Sequence, residues 1–429
     1  MTITVIGLGK IGLPLAVQFA RNGEQVLGVD INQDTVDLVN AGLEPFPGEA
    51  GLRELLAEVV GKKSLIASTS TRDSVSRSDV VVVVVPLFVD SDAKPDFRAM
   101  DSATREIALG INRGTLVAYE TTLPVGTTRE RFTRSIEEIS GYKVGKDFNV
   151  VFSPERVLTG RVFSDLKRYP KIVGGVTPEC SKRGRKFYEG ILDFDLREDL
   201  QTPNGVWMMD TSEAAEFVKL AETTYRDVNI GLANQFAIYA QKINVDIHQV
   251  IQAANSQVFS HIHQPGIAVG GHCIPIYPQF YLWNDQAATI VREARKTNVE
   301  MPANSISRLI DEYGDLEGKN VAILGATYRA GVKETAFSGV FDLYKILNSL
   351  KAKVFVHDFL LEDSEIAELG WQALANFEEV EIAIIQNNDS RYVDLLGEHD
   401  KFTCLRIVLD GRNLLNGVPP NPQVRLVSV

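Results

Sequence analysis

A chain of 429 residues exceeds what one ordinary hydrophobic core holds, so two or three domains are expected. Hydrophobic residues at 45% and charged residues at 23% exclude extensive disorder, and a formal net charge of -12 excludes a broad nucleic-acid footprint. No apolar run approaches the roughly 20 residues that span a bilayer, and three well-separated cysteines, Cys180, Cys273 and Cys404, suit a reducing compartment. With a strand at the first residues and no targeting segment, the expected setting is the cytoplasm, away from membranes.

In chain order, TITVIGLG reads as a strand, Ile11 to Asn22 as a helix and QVLGVD as a second strand. The valines from Val80 to Val85, then GTLVAYE and FNVVFSPE, continue the alternation to about residue 200. Strands of this kind separated by helices and Gly-rich turns predict a doubly wound parallel sheet. Asp210 and Glu213 then form a D-x-x-E capping pattern ahead of a helical run to about Ile243. Val228, Leu232, Phe236 and Tyr239 mark one apolar stripe on that run. A helix of such length often lies at a subunit interface, so a homodimer is expected, with a long internal helix as the plainer alternative. From Lys319 the strand pattern returns in KNVAILGATYR, AKVFVHD, VEIAIIQNN and RIVLDGRN, and a short strand closes the chain. The predicted fold is α/β, with two Rossmann-like doubly wound domains joined by a long central helix and a helical middle domain. The expected segments are 1–200, 201–305 and 318–429.

Gly7-Leu8-Gly9-Lys10-Ile11-Gly12 is a G-x-G-x-x-G that follows a strand and opens a helix. The first glycine permits the tight turn, the second lets a pyrophosphate approach the backbone, and the third allows close helix–strand packing. Asp30 ends the second strand, where a carboxylate holds a ribose 2′-hydroxyl and repels a 2′-phosphate. Together these predict NAD rather than NADP as cofactor. Gly7, Gly9, Lys10, Ile11, Gly12 and Asp30 are the candidate contacts, and no metal site is expected.

Gly270-Gly271-His272-Cys273-Ile274-Pro275 sets a cysteine in a Gly-rich turn. Such a cysteine is a candidate nucleophile toward an aldehyde, against the bland reading of a small packed side chain. Glu155 follows the strand FNVVF in SPER, and Lys219 lies on the long helix with Thr223 one turn on. Taken singly, Glu155 reads as a surface or cap carboxylate and Lys219 as a solvated helix lysine.

The ordered set GLGKIG, ETTLPVGTTRE, FSPERVLTG, KIVGG, KLAETTYRDVNIGLAN, QPGIAVGGHCIP and LDGRN resembles the UDP-glucose/GDP-mannose dehydrogenase family over essentially the whole chain. SPER and GGHC are nearer to the UDP-N-acetylhexosamine 6-dehydrogenase branch (mannosamine and glucosamine) than to the UDP-glucose branch. The resemblance implies a two-step oxidation of a UDP-sugar C6 alcohol to the uronic acid with two NAD. It implies that Cys273 carries the thiohemiacetal and thioester, that Glu155 activates water through Thr122, and that Lys219 supports the oxyanion. It further places Pro86, Thr122 and Glu155 near the cofactor. Arg156, Lys219, Gly270, Gly271, Tyr328 and Arg329 fall near the substrate, with Glu155 shared between the two.

Five residues, at four places, leave the family pattern. Thr223 stands where asparagine is usual, Tyr277 where aspartate follows the cysteine, Ala336 where the C-terminal unit carries an arginine, and Leu87-Phe88 where VPTP continues. Thr223 and Tyr277 lie in the chemistry itself and keep a hydroxyl each, so both remain candidate catalytic residues. The competing readings are a single-hydride oxidoreductase that releases an aldehyde or ketone, and a non-catalytic NAD and nucleotide-sugar binder.

Overall fold

The first strand, Thr2–Ile6, lies between Gln25–Val29 and Val80–Val83, parallel to both. This computed structural model describes residues 1–90 and 92–429, which divide into two compact units. The first comprises Met1–Glu222 with Gln279–Asp285, and the second Thr223–Pro278 with Gln286–Val429.

In the first unit eight strands form one sheet. Their order is Val206–Met209, Lys171–Gly175, Asn149–Phe152, Leu116–Tyr119, Val80–Val83, Thr2–Ile6, Gln25–Val29 and Leu65–Ser68. Val80–Val83 is buried throughout, as a valine run covered on both faces must be. Helices Gly12–Arg21 and Pro178–Ile191 supply Leu13, Leu15, Phe19, Phe187 and Tyr188 to the core on that sheet. Two expectations need correcting. The sheet is not wholly parallel, because Asn149–Phe152 and Lys171–Gly175 pair antiparallel, with Val151 opposite Gly175 and Phe152 opposite Gly174. The edge strand Val206–Met209 also carries the sheet past the boundary expected at 200.

The long helix is Ser212–Lys242, in place of the run from Asp210 to Ile243. Its cap is Thr211 rather than Asp210: the Ala214 N–H donates to Thr211 Oγ1 at 3.1 Å. Glu213 leaves the capping role because the Arg129 guanidinium binds its carboxylate at 2.5 Å. A charged partner outcompetes a single backbone N–H for an acidic side chain.

In the second unit five parallel strands run in the order Lys353–His357, Asn320–Leu324, Ile382–Ile385, Ile407–Asp410 and Arg425–Ser428. All five follow the predicted strands. The turn after Asn320–Leu324 repeats the opening of the chain. Gly325, at φ +104°, donates its N–H to His357 O at 2.8 Å, as Gly7, at φ +94°, donates to Val29 O at 2.7 Å. In the helical part of this unit, Asp227 and Asn234 of the long helix meet Arg295 and Asn298 of Thr289–Tyr313 in a buried polar cluster. Asn298 donates to Asp227 Oδ1 and Asn234 to Asn298 Oδ1, both at 2.8 Å, while Asp227 Oδ2 and Arg295 Nε meet at 3.2 Å as an ion pair without a hydrogen bond.

Candidate active site

The dinucleotide turn is built from backbone. A Cβ on Gly7 would stand 2.9 Å from Val84 O, and one on Gly12 only 1.8 Å from Gly7 O. Glycine is required at both, by left-handed φ at Gly7 and by the closed turn at Gly12. Around Gly9 a Cβ would meet nothing within 4 Å, so the space before helix Gly12–Arg21 is open where a pyrophosphate fits. Asp30 is fixed at both oxygens: Leu8 N–H donates to Oδ2 at 2.9 Å and Asn32 N–H to Oδ1 at 3.0 Å. Each oxygen keeps a further lone pair for a ribose hydroxyl. Ile11 packs on the core, whereas Lys10 beside it is half-buried. Pro86 is exposed just past Val80–Val83, and Thr121, the neighbour of Thr122 in sequence, donates from Oγ1 to Val85 O at 2.6 Å. These residues fit NAD.

Glu155 is no surface carboxylate. It forms an ion pair with the buried Lys171, whose ammonium also reaches Glu120 Oε2 at 3.0 Å. Tyr188 OH donates to the other oxygen of Glu120, and its ring centroid lies 4.8 Å from Lys171 Nζ. Burial pulls the Lys171 pKa down against the upward pull of Glu120, and burial holds the Tyr188 phenol well above its ordinary value. Lys219 is likewise not solvated, being 7% exposed, with Glu222 Oε1 at 3.4 Å. The other oxygen of Glu222 accepts from Arg156 Nε at 2.9 Å, so one carboxylate joins the two candidate cations. Thr122 is buried in the same unit.

The cysteine turn belongs to the second unit. Gly270 and Gly271 press against Tyr328, with built Cβ positions 2.8 Å from Tyr328 Cβ and 2.9 Å from its ring. Gly271 N–H donates to Ala336 O at 3.0 Å, so the departure at Ala336 still holds the turn through its carbonyl. Cys273 is exposed, and its carbonyl accepts from Tyr277 N–H at 2.9 Å where helix Tyr277–Asn284 begins. Exposure of the thiol speaks against the packing role for this cysteine. His272 is half-exposed, 3.6 Å from Glu334. Arg329 stacks over the Tyr328 ring at 5.7 Å, and Thr223 is buried on the long helix.

Several residues of the site escaped the sequence reading. Lys171 and Glu120 stood inside quoted motifs, and the available signal was a lysine opening a strand that is otherwise apolar. Glu222, one turn from Lys219, was the other acid in reach. Arg295 spans from Asp227 to Ile274 O at 3.1 Å, next to Cys273. Arg412, after Ile407–Asp410, donates from Nε to Gln386 O at 2.6 Å, and burial lowers its pKa to about 10.

A glycine-lined dinucleotide turn with a fixed carboxylate at the end of the second strand, on a doubly wound sheet, defines an NAD-dependent oxidoreductase. Residues 1–192 match the NAD binding domain of the UDP-glucose/GDP-mannose dehydrogenase family, 213–300 its central domain and 322–417 its UDP binding domain. A UDP-N-acetyl-D-mannosamine dehydrogenase of Pyrococcus horikoshii is 32% identical over 98% of this chain and 97% of its own length. One from Escherichia coli K12 is 37% identical over 70% of each chain. The solved structure of UDP-D-ManNAc dehydrogenase from Pyrococcus horikoshii superposes with a TM-score of 0.89 at 30% identity, covering 100% of this chain and 99% of that one. The chain belongs to the UDP-glucose/GDP-mannose dehydrogenase family.

Proposed function

We propose that this enzyme oxidises the C6 alcohol of a UDP-N-acetylhexosamine to the uronic acid, with UDP-glucose as the second candidate. The observation that carries this reading is the exposed Cys273 thiol in a turn closed on Tyr328. The relatives named as acting on UDP-N-acetyl-D-mannosamine favour that sugar.

Bound NAD supplies the hydride acceptor for both oxidations, one molecule for each. The Cys273 thiolate adds to the C6 aldehyde carbon, giving a thiohemiacetal that is oxidised to a thioester. Lys219 stabilises the oxyanion at C6. Glu155, with Thr122 beside the water, takes a proton from that water as its oxygen bonds to the acyl carbon. The C–S bond then breaks and the electron pair returns to the Cys273 sulfur. One alcohol, one water and two oxidised cofactors yield one carboxylate, two reduced cofactors and three protons.

The first Rossmann-like domain, through its edge strand Val206–Met209, holds the cofactor in this reading, the helices from there to 305 form the middle, and 318–429 hold the UDP. Tyr328, Arg329 and the buried Arg412 guanidinium suit the nucleotide and its diphosphate. Thr223 and Tyr277 take the places of the usual amide and carboxylate as hydroxyl donors. Leu232, Phe236 and Tyr239 are each more than a third exposed on the long helix, which supports a homodimer through that face. Three unpaired cysteines support a cytoplasmic setting, and no described helix is long and apolar enough to cross a membrane.

The test is turnover of UDP-N-acetylmannosamine, UDP-N-acetylglucosamine and UDP-glucose with NAD, scored for NADH per sugar and product mass. Two NADH and a uronic acid are expected. One NADH with free aldehyde would favour the arrested reaction at Tyr277, and none would favour a binder. Cys273→Ser should bind NAD normally and form no acid, because a hydroxyl is hardly ionised near neutral pH.

A further inference from the structure

The antiparallel junction in the first sheet has a chemical consequence. Its register pairs Val151 with Gly175 and Phe152 with Gly174. Continued past the strand ends, the same register sets Glu155 opposite Lys171. In a wholly parallel sheet Lys171 would start at the amino edge, far from the loop that carries Glu155. We propose that Lys171, held between Glu120 and Glu155, is a positioning residue that fixes the Glu155 carboxylate for thioester hydrolysis. This rests on the role given to Glu155 above.

Three features carry the inference. The ammonium is buried and contacts two carboxylates, which leaves the three groups with one net negative charge. Glu120 is itself pinned, since Tyr188 OH donates to it and its carbonyl accepts the Glu155 N–H at 3.3 Å. Lys171 meets the Glu155 carboxylate, Glu120 and Tyr188 stand behind that lysine, and Arg156, next in the chain, is paired to Glu222. A lone strut would need no second acid. Two carboxylates sharing one lysine hold the ammonium, and through it the Glu155 carboxylate, in one place, as a base that must meet a water requires.

The prediction concerns the second half of the reaction. Removing Lys171 leaves hydride transfer from the Cys273-bound carbon to NAD intact and slows only the step in which Glu155 takes a proton from water. Glu120 and Lys171 act on Glu155 with opposite signs. Loss of the cation makes the carboxylate protonate at higher pH, and loss of the neighbouring anion makes it protonate at lower pH.

The experiment compares Lys171→Met, Lys171→Arg, Glu120→Gln and Glu155→Gln in the full chain with UDP-N-acetyl-D-mannosamine and NAD. Stopped-flow NADH formation, acid release and intact protein mass are the readouts. Lys171→Met should show a burst of two NADH per site, acid release slowed roughly tenfold or more, and added mass on Cys273. Lys171→Arg should stay close to the natural chain. The acid limb of the acid-release profile should move up by about one pH unit in Lys171→Met and down in Glu120→Gln. Natural acid release by Lys171→Met beside a stalled Glu155→Gln would overturn the role of Lys171 alone. If neither variant stalls, the role of Glu155 falls and this inference falls with it. Should Lys171→Met not fold, Glu120→Gln decides, and an unmoved acid limb overturns the proposal.

Discussion

Replacing Gly9 and Gly12 by alanine in turn should separate what holds the dinucleotide turn together from what it holds. The Cβ of Gly12→Ala would sit 1.8 Å from Gly7 O, a backbone atom that no rotamer change removes. The turn must open by about 1 Å, an overpacking cost of ~1–3 kcal/mol, and Gly7 and Asp30 shift with it. Gly12→Ala should consequently lose both thermal stability and NAD affinity. Gly9→Ala meets no atom within 4 Å, and Gly9 is not among the residues with positive φ, so the protein without cofactor should melt unchanged. Its methyl nevertheless occupies the approach of the pyrophosphate. Losing one charge-assisted hydrogen bond costs ~1.5–3 kcal/mol, or roughly 10- to 150-fold in Kd. Calorimetric titration with NAD and thermal melts of the cofactor-free protein measure the two effects. Gly9→Ala that binds NAD as tightly as the natural chain would refute the placement of the phosphates.

Further outcomes concern the ribose acid, a buried carboxyl and the exposed helix face. With Asp30 at the ribose position, NAD should be preferred over NADP by more than about tenfold, or ~1.4 kcal/mol, and Asp30→Ala should weaken NAD in titration; equal turnover with both cofactors would remove that role. Glu216 accepts from Gly126 N–H at 2.6 Å and from Thr128 N–H at 2.8 Å, yet burial pushes its pKa from 4.5 up to about 7. The folded protein thus keeps a proton that the unfolded chain releases, so stability should fall as pH rises from about 4.5 to 7, by ~3 kcal/mol at most, and then level off. Denaturant titrations across that window should show the slope in the natural chain and its loss in Glu216→Gln. Sedimentation should give a dimer at micromolar protein, and Phe236→Glu should give a folded monomer; a natural chain that is already monomeric ends the interface reading.

How much was legible in advance depended on the range of each interaction. The glycines of the first turn, the acid at Asp30 and the strand runs act over a few residues, where backbone geometry and side-chain period dictate the outcome. The strands and the glycine turn between them form where the sequence places them. The capping position slipped by one residue, because Glu213 found Arg129, a partner 84 positions away. Glu155 read singly as a surface or cap carboxylate and Lys219 as a solvated helix lysine, since local sequence shows a charge but not what covers it. Their burial came from elements joined only in three dimensions. Lys171 shows the limit most clearly. Its spacing from Glu155 carries no local signature, and a parallel sheet would have kept the two apart. Sequence alone determined the nucleotide-binding turns and the order of strands and helices, because those follow from short-range sterics and hydrophobic period. Only the tertiary structure decided which charges meet, because ion pairing in a core depends on strand direction, register and the exclusion of water across distant segments.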